Sequence, residues 1–242
     1  MSEAVCAPYQ SPLLRQVTGP TLRPGGLALT DRALEMCGFK PGDQVLDLGC
    51  GLGASAAHLA NNHGLRVLGL DLSGVMLAEA GSSHQGLPFI QASAQAIPLT
   101  NSSLDGVLCE CVLSLTEAPQ TTLDECRRVL KPGGVLAVTD LYLRNPLPGG
   151  GSLSLTGCLG GALGRPEIEA MLRQAGMKLL LWEDHSRLLN RLAAQLVWEH
   201  GSAAAVWGAC EEGQGCRAAA AVAQARPGYF LLAAQRKVES CG

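Results

Sequence analysis

The stretch Val45-Leu46-Asp47-Leu48-Gly49-Cys50-Gly51-Leu52-Gly53 reads as an apolar strand that runs directly into a glycine-rich loop. Glycine suits such a loop because the backbone turns sharply there and a ligand can approach it with no Cβ in the way. The three glycines alternate with single residues, whereas the dinucleotide-binding pattern separates its last two glycines by two residues. The spacing therefore predicts a ligand-binding loop but weakens the case for a dinucleotide pyrophosphate.

Apolar strands and helices alternate outward from this loop. Such alternation is typical of a parallel sheet covered by helices on both faces. The predicted strands are Gln44–Leu48, Arg66–Asp71, Pro88–Gln91, Gly106–Cys111, Val135–Asp140, Lys178–Trp182 and Tyr229–Gln235. The predicted helices are Ala54–Asn61, Val75–Ala80, Thr121–Leu130 and Pro166–Ala175, one that starts at Thr30 as N-cap and stops at Gly38, and one that carries Leu188, Leu192 and Leu196.

An acidic residue ends the strand that follows the glycine loop. Asp71 closes the run Leu68-Gly69-Leu70-Asp71, 20 residues after Gly51. In nucleotide-binding sheets a carboxylate at this point accepts hydrogen bonds from the ribose hydroxyls. Asp47, in the strand before the loop, lies where it can meet a charged amine. The pattern therefore favours a ligand that contains a ribose.

Four further segments follow in order: Asp71–Leu77, Ala92–Leu99, Leu104–Leu108 and Arg128–Gly134. Together with the glycine loop, they resemble the class I S-adenosylmethionine (SAM)-dependent methyltransferases, with a type 11, ubiquinone/menaquinone methyltransferase-like core. The resemblance implies SAM as cofactor and S-adenosylhomocysteine as product. It implies these cofactor-binding residues: Asp47, Gly49, Cys50, Gly51, Gly53, Asp71, Leu72, Met76, Ser93, Ala94 and Glu110. The family usually has Asp in place of Ser93, so the expected contact with the adenine amino group lacks a charge.

The resemblance also implies a fold and a division of the chain. The fold is α/β and Rossmann-like, with a seven-stranded, mostly parallel sheet, helices on both faces and a small helical cap inserted before the last strand. Residues 1–29 form an irregular N-terminal arm over the cofactor site, 30–185 the core, 186–227 the cap, and 228–242 the last strand and tail. In the family, the segment before the first core helix folds over the methionine end of the cofactor, where Arg23-Pro24-Gly25-Gly26 is suitably placed. The cap is expected to shape acceptor choice because it can vary without disturbing the sheet.

The composition argues against several classes of partner. Of 242 residues, 47% are hydrophobic, and 18 basic against 21 acidic residues give a net charge of −3. Such a chain has no general affinity for nucleic acid or for an anionic membrane, and no run reaches the roughly 18 apolar residues of a membrane-spanning helix. The first residues show no secretory pattern, so a cytoplasmic location is expected. In that compartment, the 10 cysteines are better explained as buried residues, reactive thiols or ligands than as disulfides.

The cysteines divide by their surroundings. Five are interpreted as packing residues, two of which are expected to share a strand face: Cys37, Cys50, Cys126 and the strand pair Cys109 and Cys111. Cys158 follows a loop rich in glycine and proline. Cys210 and Cys216 bracket a polar loop that should be exposed, which leaves thiols available for chemistry. Their five intervening residues do not match the paired spacing of structural zinc, so no metal site is predicted.

A narrower resemblance involves Cys111–Leu115, Arg128–Lys131, Asp140–Tyr142, Leu147–Pro148 and Cys158–Leu163. These segments together look like arsenite methyltransferases, which hold trivalent arsenic on cysteine thiolates. The resemblance implies Cys158 as one arsenic ligand and Cys210 as the nearest candidate for a second, with Cys6 or Cys216 as candidates for a third. The family's cysteine shortly after the glycine loop is replaced here by Ala54-Ser55-Ala56-Ala57. A soft metalloid prefers thiolates, and its lone pair can attack a methyl group without a base.

The sequence thus predicts a SAM-dependent methyltransferase with a small-molecule acceptor, and a thiolate-bound metalloid such as arsenite is one such acceptor. An O-, N- or C-methyltransferase of a small organic metabolite is an alternative, and a non-catalytic SAM- or thiol-ligand-binding module is another. We identify no general base and no catalytic residue. His58 and His63 are interpreted as ordinary helix residues, whereas His185 and His200 border the cap. The sequence does not predict the oligomeric state.

Overall fold

A mixed β-sheet forms the centre of the computed structural model, which describes residues 12–145, 158–200 and 222–238. The strands are β1 Gln44–Leu48, β2 Arg66–Asp71, β3 Phe89–Gln91, β4 Leu104–Glu110, β5 Leu130–Leu143, β6 Leu163–Gly164, β7 Met177–Asp184 and β8 Pro227–Arg236. Within the described ranges their order is β3-β2-β1-β4-β5-β8-β7, and β6 pairs beside β5. Among the described strands, only β8 runs antiparallel to its neighbours, β5 and β7. The predicted seven-stranded, mostly parallel sheet is confirmed, and β6 is an additional short strand.

Helices cover both faces of this sheet, as predicted. They are α1 Pro12–Thr18, α2 Gly26–Cys37, α3 Ala54–His63, α4 Gly74–Ser83, α5 Pro119–Val129, α6 Arg165–Gln174 and α7 Ser186–His200. Successive side chains of a strand point to opposite faces. Along β4, Val107 joins an apolar cluster that includes residues of α5 and α6, whereas Leu108 joins a second cluster with residues of α2 and α3. Two apolar layers therefore enclose the sheet.

The carboxyl ends of β1, β2 and β4 lie level at one edge of the sheet. Leu48 pairs in register with Leu70 of β2 and with Cys109 of β4. The loops that follow these three parallel strands therefore meet at the same edge. In open α/β sheets this edge is where ligands bind, and here it brings Asp71 and Glu110 beside the glycine loop.

The start of α2 differs from the prediction. The helix begins at Gly26 after Gly25, whose φ of +85° makes the entry turn, so the expectation that Thr30 is the N-cap is wrong. Thr30 lies inside the helix and is fully buried. Its hydroxyl contacts the side chains of Arg23 and Glu110 rather than capping backbone groups. The predicted stop is confirmed, because Gly38 at φ +67° ends the helix.

The N-terminal arm is more regular than predicted over its described part. Residues Pro12–Thr18 form α1, and Gly19–Thr21 form a short 3-10 turn. A proline-rich composition concealed this helix because Pro12 is tolerated in a first helical turn. Side chains of the arm, the glycine loop, α4 and α7 pack together in what we call the lid cluster: Leu14, Leu22, Leu52, Met76, Leu192 and Leu196. The arm therefore packs over the same edge of the sheet as the glycine loop.

The predicted amphipathic helix at the start of the cap is confirmed as α7. Leu189, Leu192 and Leu196 lie on its buried side, and the last two belong to the lid cluster. The remainder of the cap up to residue 221 lies outside the described residues. Among the described helices, none combines the length and apolar character needed to cross a membrane.

Candidate active site

A cavity opens at the sheet edge where the loops after β1, β2 and β4 meet. It encloses an empty volume of about 830 Å³, part of it open to solvent. Its wall comes from the arm, the glycine loop and α3, and from the ends of β2 and β4: Pro20–Arg23, Asp47, Gly49–Leu52, Ala54, Ser55, Leu70–Leu72, Met76, Ala92, Ala94, Glu110–Val112 and Leu115. The described structure thus gathers distant parts of the chain around one small-molecule-sized space.

The glycine loop forms the floor of this cavity. Gly49 and Cys50 both donate backbone N–H bonds to the carbonyl of Leu70, at 2.6 and 3.0 Å, which fastens the loop to the end of β2. Gly49 has φ +73°, and a Cβ there would lie 2.2 Å from Cγ2 of Val112. Because both the backbone and the space exclude a side chain, this position requires glycine.

Asp71 is tied to the loop through backbone donors. Its Oδ2 accepts a hydrogen bond from Gly51 N at 2.8 Å, and its Oδ1 accepts one from Ser73 N at 2.8 Å. Burial raises the pKa of this carboxyl, while the N–H groups of Ser73, Gly51 and Leu72 act in the opposite direction. Each oxygen keeps a lone pair beyond these two hydrogen bonds, so the carboxylate can accept a pair of neighbouring hydroxyls. We call Gly49–Gly53 with Asp71 the loop end of the cavity.

Asp47 presents an unpaired oxygen at the cavity wall. The residue is only 2% exposed, and its Oδ2 has no hydrogen-bond partner among the described residues. Burial, followed by the nearby Glu110, raises the pKa of Asp47 to about 8, against the opposing effect of Arg23. A buried acceptor without a partner is costly. An ammonium group in the cavity would satisfy this oxygen and favour its ionised form, so the site fits a ligand that carries an amine.

A second part of the cavity is supported by four buried side chains, of which all but Thr30 line the wall. Arg23 forms an ion pair with Glu110, with Nη2 2.7 Å from Oε2. Ser55 donates to the same carboxylate at 2.7 Å, and Thr30 donates to its other oxygen at 3.2 Å. We call Arg23, Thr30, Ser55 and Glu110 the arm end. Arg23 lies in the segment that the sequence placed over the cofactor, whereas Thr30 and Ser55 were missed.

The remaining predicted cofactor residues are divided. Leu72, Met76, Ala94 and Cys50 line the cavity together with the residues described above. Gly53, at φ +75°, is the N-cap of α3, and Ser93 lies between two residues that line the cavity. Neither Gly53 nor Ser93 is part of the cavity wall. The Ser93 hydroxyl accepts a hydrogen bond from Gln95 N at 3.2 Å. Its contact with adenine stays a prediction.

Two of the cysteines meet at the cavity wall, one in the wall and one behind it. Cys111 lines the cavity, and its Sγ lies 3.1 Å from Oη of Tyr229. Cys158 donates from Sγ to the Cys111 carbonyl at 3.7 Å. The two sulfurs and a carboxylate oxygen of Asp140 all lie within 4.8 Å of one another. The hydrogen bond with Cys158 and burial hold the pKa of the Cys111 thiol well above its ordinary value.

The expectation that Cys109 and Cys111 share a strand face is wrong. Strand β4 ends at Glu110, and Cys111 has φ +56°, which turns it off the strand. Cys109 instead packs with Cys126 in the cluster on the other face. Of the predicted thiol ligands, Cys158 is buried beside Cys111. Cys210 and Cys216 lie outside the described residues.

Within the described part of the chain, no histidine lines the cavity. His58 and His63 both contact Asp31, and His185 contacts Glu183 at 2.9 Å. The side chain of His200 lies outside the described residues. The nearest ionisable groups are therefore carboxylates, thiols and Arg23, all of which are held in contacts or buried. This arrangement suits positioning of a reactive ligand better than proton transfer by imidazole.

Comparison with known proteins assigns this site to a family. Residues 46–138 match the family model described as a methyltransferase domain. The chain is 32% identical to an arsenite methyltransferase of Halobacterium salinarum over 57% of this chain and 38% of that protein. It is 30% identical to an O-methyltransferase of Aspergillus nomiae over 59% of this chain and 68% of that protein. The match thus spans between about a third and two thirds of these relatives' lengths.

Solved structures share the fold over nearly the whole chain. The [4+2]-cyclase SpnF has a TM-score of 0.75 at 24% identity and covers 96% of this chain and 94% of its own. Phosphoethanolamine N-methyltransferase 2 of Haemonchus contortus, in complex with phosphomonomethylethanolamine and S-adenosylhomocysteine, has a TM-score of 0.71 at 19% identity and covers 93% and 56%. At these identities the likeness concerns the fold. The sequence match, the sheet order and the glycine-loop cavity together place the chain in the class I SAM-dependent methyltransferases, whose cofactor is SAM.

Proposed function

We propose that this chain binds SAM in the described cavity and transfers its methyl group to a small-molecule acceptor. One observation carries the proposal: two buried carboxylates line one cavity, and each has an oxygen that can accept a hydrogen bond from a group that SAM carries. Asp71 has lone pairs for the two ribose hydroxyls, and Asp47 has an unpaired Oδ2 for the amine. The cavity wall also offers the apolar side chains Leu72, Met76 and Ala94 for adenine.

The chain's own residues would act by holding and shielding. When bound, SAM supplies an electrophilic methyl carbon on a cationic sulfur. Arg23 and Glu110 neutralise each other, so the arm end offers a fixed wall without a net charge. The apolar lid cluster packs beside the cavity and would limit the access of water to the bound cofactor. Such alignment and exclusion of water can contribute several kcal/mol to a transfer reaction.

The proposed divisions of the chain follow from this arrangement. The arm and the cap (residues 186–227) would close over the cofactor, and the cap would select the acceptor. A small organic metabolite with a hydroxyl, amine or carbon nucleophile is one class of acceptor. We expect the protein to act in the cytoplasm. A binding module without turnover is the contrasting function, since no histidine is present in the described cavity wall to act as a general base.

Titration calorimetry with S-adenosylhomocysteine tests the cofactor assignment. Asp71→Asn should weaken binding by about 10- to 100-fold, because the amide replaces a charged hydrogen-bond acceptor with a neutral one. Asp124→Asn is the matched control, since Asp124 lies exposed on α5 and contacts Gln120. Equal affinity of the two variants for S-adenosylhomocysteine would contradict the cofactor assignment. Methylated product from a panel of hydroxyl, amine and arsenite acceptors rejects the non-catalytic module, whereas tight binding with no product from any acceptor supports it.

A thiolate-bound trivalent metalloid is the second candidate acceptor. The observation in its favour is that Cys111 lines the cavity, and that the sulfur of Cys158 lies within 4.8 Å of the sulfur of Cys111. Arsenous acid would exchange two hydroxyl groups for two As–S bonds, and the two thiol protons would leave with them as water. The arsenic lone pair would then form the As–C bond as the C–S bond breaks and its electron pair returns to sulfur. Cys210 and Cys216 are the proposed sources of a third thiolate.

Thiol substitutions separate this candidate from an organic acceptor. We expect Cys158→Ser to abolish arsenite binding and leave S-adenosylhomocysteine affinity unchanged, because Cys158 lies outside the cofactor cavity wall. Cys126→Ser is the control, since that thiol is buried on the other face of the sheet. Arsenite binding that survives Cys158→Ser, or that is absent from the wild-type protein, would rule out the metalloid at this pair.

A further inference from the structure

Three metal-ligating side chains converge away from the cavity, between α2 and α3. Asp31 lies on α2, and His58 and His63 lie on α3. Both imidazoles direct Nε2 at the same Asp31 oxygen, at 2.6 and 2.9 Å, and the two Nε2 atoms are 3.4 Å apart. The rings meet edge to face with centroids 5.1 Å apart. Three potential donor atoms therefore share one small space.

The spacing of these atoms suits a transition-metal ion. Zinc–nitrogen bonds of about 2.0–2.1 Å in a tetrahedron place neighbouring ligand atoms about 3.3 Å apart. The two imidazole nitrogens already have this separation, and each N···O distance has to open by only about 0.4–0.7 Å. Imidazole nitrogens with a carboxylate form a donor set for zinc and its neighbours in the first transition row. We propose that Asp31, His58 and His63 bind one divalent ion of the zinc class.

The donor atoms of the three groups fit such binding. A carboxylate oxygen and an imidazole nitrogen can each offer a lone pair to an ion. A neutral imidazole that binds through Nε2 carries its proton on Nδ1. Binding thus exchanges the N–H···O hydrogen bonds for metal–ligand bonds and needs only a change of tautomer.

The cluster is also accessible to an ion from solvent. The side chains of Asp31 and His63 are 45% and 34% exposed, and that of His58 is 13% exposed. The three residues line an open cleft together with Glu35 and Asn62, which leaves room for water as the remaining ligand. The Cys111, Asp140 and Cys158 cluster is fully buried by comparison, so an ion would reach the histidine cluster more readily.

An ion at this place would join the two helices that support the arm end. Asp31 follows Thr30 directly in α2, and His58 lies one helical turn after Ser55 in α3. Thr30 and Ser55 are the hydroxyl donors to Glu110. Metal binding would therefore stabilise the arrangement of α2 against α3 behind the cavity without contacting the cavity itself.

Cobalt titration of the whole chain, stripped with a chelator and free of SAM, tests the proposal. We expect one Co²⁺ per chain, with visible absorption of a nitrogen- and oxygen-ligated ion and without the near-ultraviolet band of cobalt–thiolate bonds. His58→Gln and His63→Gln should each weaken binding by more than tenfold, because loss even of an outer partner of a metal ligand costs 10- to 100-fold. Asp31→Asn should also weaken it, and His185→Gln is the control with an equal number of histidines.

The outcomes decide the proposal in both directions. Circular dichroism of the metal-free variants establishes that each is folded, and zinc should raise the melting temperature of the wild type and of His185→Gln only. Binding that is equal in His58→Gln, His63→Gln and wild type would overturn the site. A thiolate band, or absence of Co²⁺ and Zn²⁺ binding by the folded wild type, would overturn it as well.

Discussion

At the loop end of the cavity, backbone N–H groups of Gly51 and Ser73 hold Asp71, whereas at the arm end four side chains from four separate elements hold one another. The loop end depends on the absence of Cβ atoms and on N–H donors that every residue but proline has. The arm end depends on charge balance, because Arg23 and Glu110 are almost entirely removed from water. We therefore expect the two ends to fail in different ways when single residues change.

The largest effect should come from breaking the arm end. Glu110→Gln leaves the Arg23 guanidinium buried without its counter-charge. Removing one partner of a buried ion pair costs about 3–5 kcal/mol of unfolding free energy. Urea denaturation of the cofactor-free protein, followed by circular dichroism, measures this loss.

An exposed ion pair provides the matched control. Arg15 contacts Glu79 with about half of each side chain exposed. Water and salt screen such a pair, so Glu79→Gln should leave the denaturation midpoint unchanged within error. The double variant Arg23→Met, Glu110→Leu should recover part of the loss, since it removes both charges. A Glu110→Gln midpoint no lower than that of Glu79→Gln contradicts this account of the arm end.

At the loop end, a steric clash rather than the loss of a charge should reduce stability. In Gly49→Ala the new Cβ would lie 2.2 Å from Val112 Cγ2, on a backbone at φ +73°. The left-handed backbone costs about 1–2 kcal/mol and the overpacking about 1–3 kcal/mol. We expect the unfolding free energy to fall by the sum of these two costs, and we expect S-adenosylhomocysteine binding to be lost.

Two further variants separate the backbone cost from the steric cost. Gly86 has φ +89° with no heavy atom within 4 Å of a built Cβ, so Gly86→Ala should show the backbone cost alone. Adding Val112→Ala to Gly49→Ala restores space and should recover part of the stability. If Gly49→Ala and Gly86→Ala lose equally and Val112→Ala gives no recovery, the contact with Val112 is unimportant.

Asp47 lines the same cavity as the two ends and should make stability depend on pH. Its pKa is raised from 3.8 to about 8, so the folded state holds a proton that the unfolded chain releases above pH 3.8. Stability is therefore greatest below this window and falls as pH rises toward 8, by up to about 1.4 kcal/mol per pH unit. Asp140, with a pKa of about 6, and Asp71, whose pKa burial also raises, contribute with the same sign, so the part of the slope between about pH 6.5 and 8 that Asp47→Asn removes reports on Asp47.

Denaturation of the cofactor-free protein across this range tests the assignment. Asp47→Asn should flatten the dependence, because the amide does not titrate. The surface variant Asp124→Asn should retain the full slope. An unchanged slope in Asp47→Asn would mean that the carboxyl is ionised in the folded protein at neutral pH.

The difference between the ends also explains what the sequence could predict. Glycine spacing and an acidic residue at a strand end are local signals, so residues 45–53 and Asp71 were enough to locate the loop end. The observed bounds of β1 and β2 also equal the predicted ones. The arm end joins Thr30 to Glu110, which are 80 residues apart. Thr30 looked like a cap because threonine commonly caps helices, and only the folded chain shows that it faces a buried carboxylate.

Side-chain contacts that form where the backbone is irregular could not be predicted from the sequence either. Cys111 was assigned to a strand face because strand periodicity assumes an extended backbone, but its φ is +56°. His58 and His63 are five residues apart, which corresponds to about 140° around a regular helix. Their meeting at Asp31 depends on the end of α3 and on the neighbouring helix. Such convergences follow from tertiary structure, which a linear pattern does not encode.

The smallest effect should come from Ser93, which we expect to contact the adenine of the bound cofactor. Ser93→Asp can keep the hydrogen bond from Gln95 N with one oxygen, as Asp does in comparable turns, and offer the other to an amino group. A charged acceptor in place of a neutral one contributes about 1 kcal/mol or less at a partly exposed site, or a gain in S-adenosylhomocysteine affinity of up to about fivefold. Ser93→Asn is the neutral control. S-inosylhomocysteine, which has an oxygen in place of the adenine amino group, should gain nothing from Ser93→Asp. An equal gain for both ligands would show that position 93 acts through the loop and that the adenine contact belongs to its neighbours Ala92 and Ala94.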